Sequence, residues 1–544
     1  MMTALPISNS RPKTIGIVGF YGSGNLGDET VVAILINKIR EHYPNARICG
    51  FSLNPTDTEQ RHGIKAFPIW WRSEAHFVPG QPLPPKGSFG KLKQAVKNNL
   101  PFFNTLKALK ALLWMIPREL PFLRRCFQRL QGFDLLVVPG SGPLTDWWGG
   151  PSSHPYTFLT WTLLARLTRT KVIALSIGSE RLTTRIGKSF CKWFLSMAHY
   201  RSFRDRYSRD TMKALGLRGD DPVFPDQGFA LLDLLGPNAT ETSHAEYSKR
   251  DSGLVIGVSP VGHMTCVSEY REDGNESLYR NYIETLSSFL LWLVQRGHRL
   301  VFCPTDFLQD QPFVEQIVGN IKAALPGVDL TRRIIHESLV TTEDLIVRIR
   351  MCDIMIASRF HAVVLPFALQ KPVLALSYGR KVSDLMTECG QAAYHRKMDE
   401  AGLDDMIRVL QALEENRHAI AQHLGVIAAG YRSQLRKQYT EVFQRYKHKV
   451  GGAPALAWSS SAGRLDKRSL HGRCTGNGHR SYRVPFEPGE KRGSVRLAEA
   501  PSRVSGGHVC ASGYGPVQVS SRAEVLASQR AVFAPTKAAL EGRR

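Results

Sequence analysis

Residues 14–29 read TIGIVGFYGSGNLGDE. A short apolar run ends here in a glycine-rich turn. Beyond it Val32, Leu35, Ile36, Ile39 and Tyr43 recur at helical spacing, which predicts a helix over 29–43. The run RICGFSL at 47–53 is the next strand. Strand, glycine turn, helix and strand form a βαβ unit, right-handed in a parallel sheet. Buried strands follow at 134–139 (DLLVVP) and 171–177 (KVIALSI), with weaker ones at Phe203 and at 223–224. This alternation predicts a doubly wound α/β domain over 1–236.

The polar stretch 236–252 reads as a linker. A second alternation follows, with strands at 254–259, 299–304, 354–357 and 373–377 and helices at 277–295, 311–325 and 362–369. One or two long helices over 404–449 close it. The expected fold class is therefore α/β: two Rossmann-like domains, 1–236 and 253–449, with ligands bound in a cleft outside the carboxyl ends of the strands. Past residue 450 the chain is rich in Gly, Ser, Arg and Pro without periodicity, so 450–544 is expected to be a disordered tail.

With 544 residues, two domains plus appendages are expected, and no run of about 18 apolar residues suggests a membrane span. The polar N-terminus lacks a signal core, and nine scattered cysteines without a CxxC pair suit a reducing compartment. A cytoplasmic location follows as the expectation. The net charge is +24, and residues 451–544 hold 15 Lys/Arg against 6 Asp/Glu. Such a balance suits anionic small molecules, glycans or lipid headgroups. No nucleic-acid partner is expected, because neither a helix-turn-helix nor an RNA-module signature occurs. A basic amphipathic insert at about 70–133 suggests peripheral contact with the inner face of the cytoplasmic membrane; ordinary helical packing is the alternative.

Gly22 to Gly27 matches GxGxxG. A dinucleotide site would need an acidic residue ending the second strand, where Leu53, Asn54 and Pro55 stand instead. Asp28 and Glu29 also occupy the first helical turn, where they would repel a pyrophosphate.

The longer string from Gly19 to Glu29 resembles the opening motif of polysaccharide pyruvyl transferases, G-x-x-G-x-x-N-x-G-D-E. Three further elements of that family are matched in order. They are Pro139-Gly140-Ser141-Gly142-Pro143-Leu144-Thr145-Asp146, then Arg204-Asp205-Arg206-Tyr207-Ser208. The last is Ser358-Arg359-Phe360-His361 with Lys371-Pro372 and Tyr378-Gly379-Arg380-Lys381. Ser141, Phe360 and Lys371 depart from the residues common there, and none of these changes removes a charged group. The resemblance implies a GT-B-like fold, phosphoenolpyruvate as donor substrate with no cofactor, and a glycan or lipid-linked sugar as acceptor. The reaction would place a pyruvate ketal on two sugar hydroxyls.

Such a donor carries a carboxylate and a phosphate, which guanidinium forks bind bidentately. Arg204 and Arg359 are the expected donor ligands, one from each domain, with Lys381 as a further phosphate contact. His361 and Asp28 are the expected proton-transfer groups. Gly22, Gly24, Asn25, Gly27, Ser141 and Ser358 complete the expected substrate-binding set, and no metal site is expected. The rival readings are a GT-B-type nucleotide-sugar glycosyltransferase and a non-catalytic membrane-surface scaffold.

Overall fold

The computed structural model describes residues 13–71, 119–147, 149–236, 253–262 and 276–446. The first sheet contains β1 (Thr14–Val18), β2 (Arg47–Ser52), β3 (Lys65–Pro68), β4 (Leu135–Val138), β5 (Lys171–Ile177) and β6 (Tyr200–Phe203). Its order is β3-β2-β1-β4-β5-β6. The second contains β7 (Val255–Ser259), β8 (Arg299–Phe302), β9 (Ile334–Ile335), β10 (Ile354–Ala357), β11 (Val373–Ser377) and β12 (His395–Lys397). Its order is β12-β11-β10-β7-β8-β9, so each sheet, counted from its own first strand, runs 3-2-1-4-5-6. Every pairing is parallel. Two Rossmann-like domains in a GT-B-like architecture result, as expected.

Parallel strands covered on both faces must be apolar throughout, and β4 and β10 are buried at every residue. The helices used below are α1 (Leu26–His42), α2 (His154–Leu167), α3 (Arg185–Met197), α4 (Arg206–Ala214), α5 (Phe307–Ala324), α6 (His361–Ala368), α7 (Arg380–Glu388) and α8 (Leu403–Arg445). The first sheet separates two cores. On one face Ile15, Ile17, Val137 and Leu175 join a core that continues through the second domain. On the other, Phe51, Leu136, Val138 and Val172 lie under an outer layer made by the helical stretch 119–130, α2 and α3.

Helix α8 packs on the second domain and then crosses to the first. There Gln438 donates to Ser202 Oγ at 2.6 Å, and Ser176 Oγ donates to Gln438 Oε1 at 3.3 Å. Tyr43 donates to the carbonyl of Phe443.

Several elements differ from the sequence reading for local reasons. Helix α1 opens at Leu26, because Asn25 caps it by accepting from the backbone N–H groups of Gly27 and Asp28. Helix α5 opens at Phe307, capped by Asp306. The strand expected at 223–224 is a single bridge from Val223 to Phe203. The short edge strands β3, β9 and β12 carry too few apolar residues to stand out in the sequence. Of the basic insert, residues 72–118 lie outside the described residues; the stretch 119–130 buries Phe122, Cys126 and Leu130. The tail expected at 450–544 also lies outside them. No helix among the described residues is long and apolar enough to cross a membrane.

Candidate active site

Strand order reverses between β1 and β4 in the first sheet and between β7 and β10 in the second. The loops leaving those strands therefore converge where an α/β fold binds ligands. Of the residues singled out in the sequence they bring Arg204 and Lys381 into one cleft, with His361 and Asp28 near it, and set the others apart from it.

The glycine loop is used for contact between the domains. Gly22 and Gly24 have φ of +79° and +87°, a conformation that side chains resist. The Gly22 N–H donates to Glu29 Oε1 at 2.7 Å, and the other Glu29 oxygen lies 2.8 Å from His62 Nε2. Leu26 N–H donates to the Thr305 carbonyl at 2.6 Å, and Phe307 N–H to that of Gly24 at 3.3 Å. Asn25 thus bridges Asp306, across the domains. A Cβ on Gly27 would fall 2.5 Å from that of His361, so glycine there lets His361 lie against α1.

His361 opens α6 with its ring between two carboxylates. Its Nδ1 is 3.6 Å from Asp28 and its Nε2 is 3.6 Å from Asp226. Both separations are too long for hydrogen bonds, and Nε2 makes none. Burial pushes the Asp28 carboxyl up, against the pull of His361 and Lys381. Asp226 accepts from the Gly228 N–H at 2.9 Å. Burial raises its carboxyl too, but His361 and Arg204 outweigh that and hold it below the usual range.

Arg204 follows β6, and its guanidinium lies 4.2 Å from the centre of the Phe360 ring. Its Nη1 is 3.5 Å from Asp226 and its Nε is 3.5 Å from Asp205. Nη2 is buried against Gly178 and makes no hydrogen bond. Lys381, in the first turn of α7, donates to Glu180 at 2.6 Å. Burial works against the Lys381 charge, but Glu180 more than restores it.

Arg204, Asp226, Glu180, Lys381 and Phe360 line a cleft of about 930 Å³ between the domains. At its mouth Arg181 lies over Trp147 and Arg380 over Tyr207. His361 and Asp28 do not line the cleft; they are linked to it through Asp226, which lies 3.6 Å from His361 Nε2.

Arg359 is placed differently. Its Nε and Nη2 donate to the two oxygens of Asp310 at 2.7 and 2.8 Å, a bidentate pair that holds the start of α5. Asp306, beside it, is pushed up to about 6, first by burial and then by Asp310 and Asp28, against the pull of Arg359. Ser358 is buried with its Oγ 3.2 Å from the Tyr282 hydroxyl. Ser141 contributes its carbonyl to the Gly178 N–H at 3.0 Å. Neither serine nor the glycine loop lines the cleft.

Asp226 and Glu180 were not singled out from the sequence. The available signal for Asp226 was the string Pro225-Asp226-Gln227-Gly228 following the weak strand at 223–224. Among the described residues no three His, Cys, Asp or Glu side chains are grouped to hold a metal ion.

His154 stands nearby at the start of α2, stacked on Phe20 with ring centroids 3.6 Å apart. Burial pushes its imidazole down to about 4, against the pull of Glu180. An unfolded chain binds this proton below about pH 6.5, whereas the folded chain refuses it until about pH 4. Stability should therefore fall as pH drops through that window, by up to about 3 kcal/mol. Urea midpoints at pH 7 and 4.5 should differ less in His154→Phe; an unchanged difference would remove His154 from the account.

A sequence model of the family described as polysaccharide pyruvyl transferase matches residues 25–380. The chain belongs to that family. No curated protein sequence matches it closely enough to count as a relative. Among solved structures it is similar to Anabaena Alr3699/HepE in complex with UDP, at 14% identity and a TM-score of 0.47, over 80% of this chain and 100% of that one. It is also similar to a UDP-N-acetylglucosamine 2-epimerase, at 11% identity and a TM-score of 0.48, over 82% and 100%. A third is MnaA of S. aureus solved with UDP, at 9% identity and a TM-score of 0.46, over 76% and 90%.

Proposed function

We propose that the chain transfers pyruvate from phosphoenolpyruvate to two hydroxyls of a glycan or lipid-linked sugar, forming a ketal. The observation that carries this reading is the buried Arg204 fork, with Nη2 unbonded, in the same cleft as Lys381 and beside His361 and its two carboxylates. Arg204 and Lys381 are assigned to the donor's carboxylate and phosphate, as charge-assisted contacts. Asp28 or His361 delivers a proton to the donor's methylene carbon, and the neighbouring carbon gains oxocarbenium character. A sugar hydroxyl adds to that carbon and gives its proton to the same acid–base group. Phosphate then leaves, and the second hydroxyl closes the ketal as its proton passes to the departing phosphate. Asp226, 3.6 Å from His361 Nε2, places a negative charge beside the ring.

The direct test is incubation with phosphoenolpyruvate and candidate lipid-linked oligosaccharides, watching for the mass of a pyruvate ketal with release of phosphate. Product formed from a UDP-sugar instead would replace this reading with glycosyl transfer.

Two expected results follow from the site. His361→Ala should lower kcat by about 100- to 10,000-fold with donor affinity little changed. A loss confined to affinity would make His361 a binding residue. Turnover should also persist in the presence of a chelator, since Arg204 and Lys381 supply the positive charge. Activity that vanishes with chelator and returns with magnesium would overturn this.

A further inference from the structure

The outer helical layer of the first domain carries a feature that the proposed chemistry does not use. Ten large apolar side chains are exposed among the described residues, and five of them stand on this layer: Leu120, Leu163, Leu167, Ile186 and Trp193. Leu167 is 70% and Trp193 53% exposed. The three helical segments that present them hold seven Lys/Arg and one acid. That acid, Glu119, accepts from the Tyr156 hydroxyl at 3.1 Å. Arg129 turns inward over Phe67, which leaves Arg124, Arg125, Arg166 and Arg185 exposed and Lys188 and Lys192 half-buried at the surface. Beyond Lys192, whose ammonium reaches toward Gly216, α4 carries charges of both signs and bounds the patch.

We infer that this face docks the protein on an anionic phospholipid bilayer. Exposed leucine, isoleucine and tryptophan rimmed by cations is the composition an interfacial contact requires, with side chains entering the headgroup region and Lys/Arg meeting lipid phosphates. A nucleic-acid face would offer bases aromatic stacking platforms, whereas four of these five residues are aliphatic. The start of α3 also follows closely on the cleft lining in the chain. Ser179, Glu180 and Arg181 line the cleft, and after the capping Thr184 the chain passes directly into exposed Arg185 and Ile186. Docking through α3 therefore sets the cleft mouth beside the membrane surface.

The test is sedimentation of the full chain with phosphatidylcholine vesicles, with and without phosphatidylglycerol, at low and physiological salt. Binding should require the anionic lipid and weaken with salt. Each of Lys188→Gln and Lys192→Gln should lower the partition coefficient about fivefold. Adding Trp193→Ser should lower it further, while Lys437→Gln on α8 leaves it unchanged. Melting temperature and turnover on a water-soluble acceptor should be unaltered in all of these variants, which separates docking from folding and catalysis. Wild-type protein that stays in the supernatant would overturn the proposal. So would equal binding to phosphatidylcholine alone, a triple variant that binds like wild type, or single-stranded RNA bound through these same residues.

Discussion

Arg204→Ala should lose about 2–4 kcal/mol of phosphoenolpyruvate binding and, with it, measurable turnover. Among the cations lining the cleft, Arg204 is the one whose buried N–H groups make no hydrogen bond among the described residues. It also faces Asp226, so the alanine variant leaves a buried carboxylate with one charged neighbour fewer. Arg204→Lys separates the two effects. It retains the charge beside Asp226 but gives up the planar pair of donors, so it should melt near wild type and still bind the donor poorly. Calorimetry with phosphoenolpyruvate reads the outcome. Wild-type affinity in both variants would end the assignment of Arg204 to the donor.

For Arg359 the larger expected effect is on folding. Its bidentate pair with Asp310 is buried, and removing one partner of such a pair costs about 3–5 kcal/mol because the other charge is stranded. Arg359→Ala should therefore unfold at clearly lower denaturant. Arg359→Met combined with Asp310→Leu should recover much of that loss, since apolar residues of similar volume often replace a buried ion pair at little cost. The double variant also tests the role expected from the family resemblance. If it folds well yet no longer binds phosphoenolpyruvate, Arg359 touches the donor as well as Asp310. Unchanged stability in Arg359→Ala would show that the pair does not hold α5.

The strands were legible because parallel strands buried on both faces need uninterrupted apolar runs. TIGIV at β1 and VIGVS at β7 are such runs, and each locates a domain. Edge strands such as HRK at β12 left no comparable trace. Motif order likewise pointed to Arg204, His361 and Lys381, all at or next to the cleft. What the sequence could not reveal is pairing across long separations. Arg359 and Asp310 are 49 positions apart, and nothing local in Ser358-Arg359-Phe360-His361 says that a carboxylate from α5 will take the fork. The partner of the glycine loop was hidden for a related reason. Its glycines fit a close approach, but the approaching groups are Thr305, Asp306 and His361 from the other domain.

The crossing of α8 carries a consequence for the order in which the chain assembles. Ser176, held at φ +49°, and Ser202 both rely on Gln438, more than two hundred residues later. A ribosome therefore releases the whole first sheet well before the segment that completes its buried polar contacts. Until α8 arrives, the nascent first domain has a gap beside β5 and β6, and its final closure depends on contacts of very large sequence separation, the slow kind to form. A fragment ending at residue 252 should then remain loosely packed and prone to self-association, whereas the same fragment supplied with a peptide of residues 403–446 should tighten.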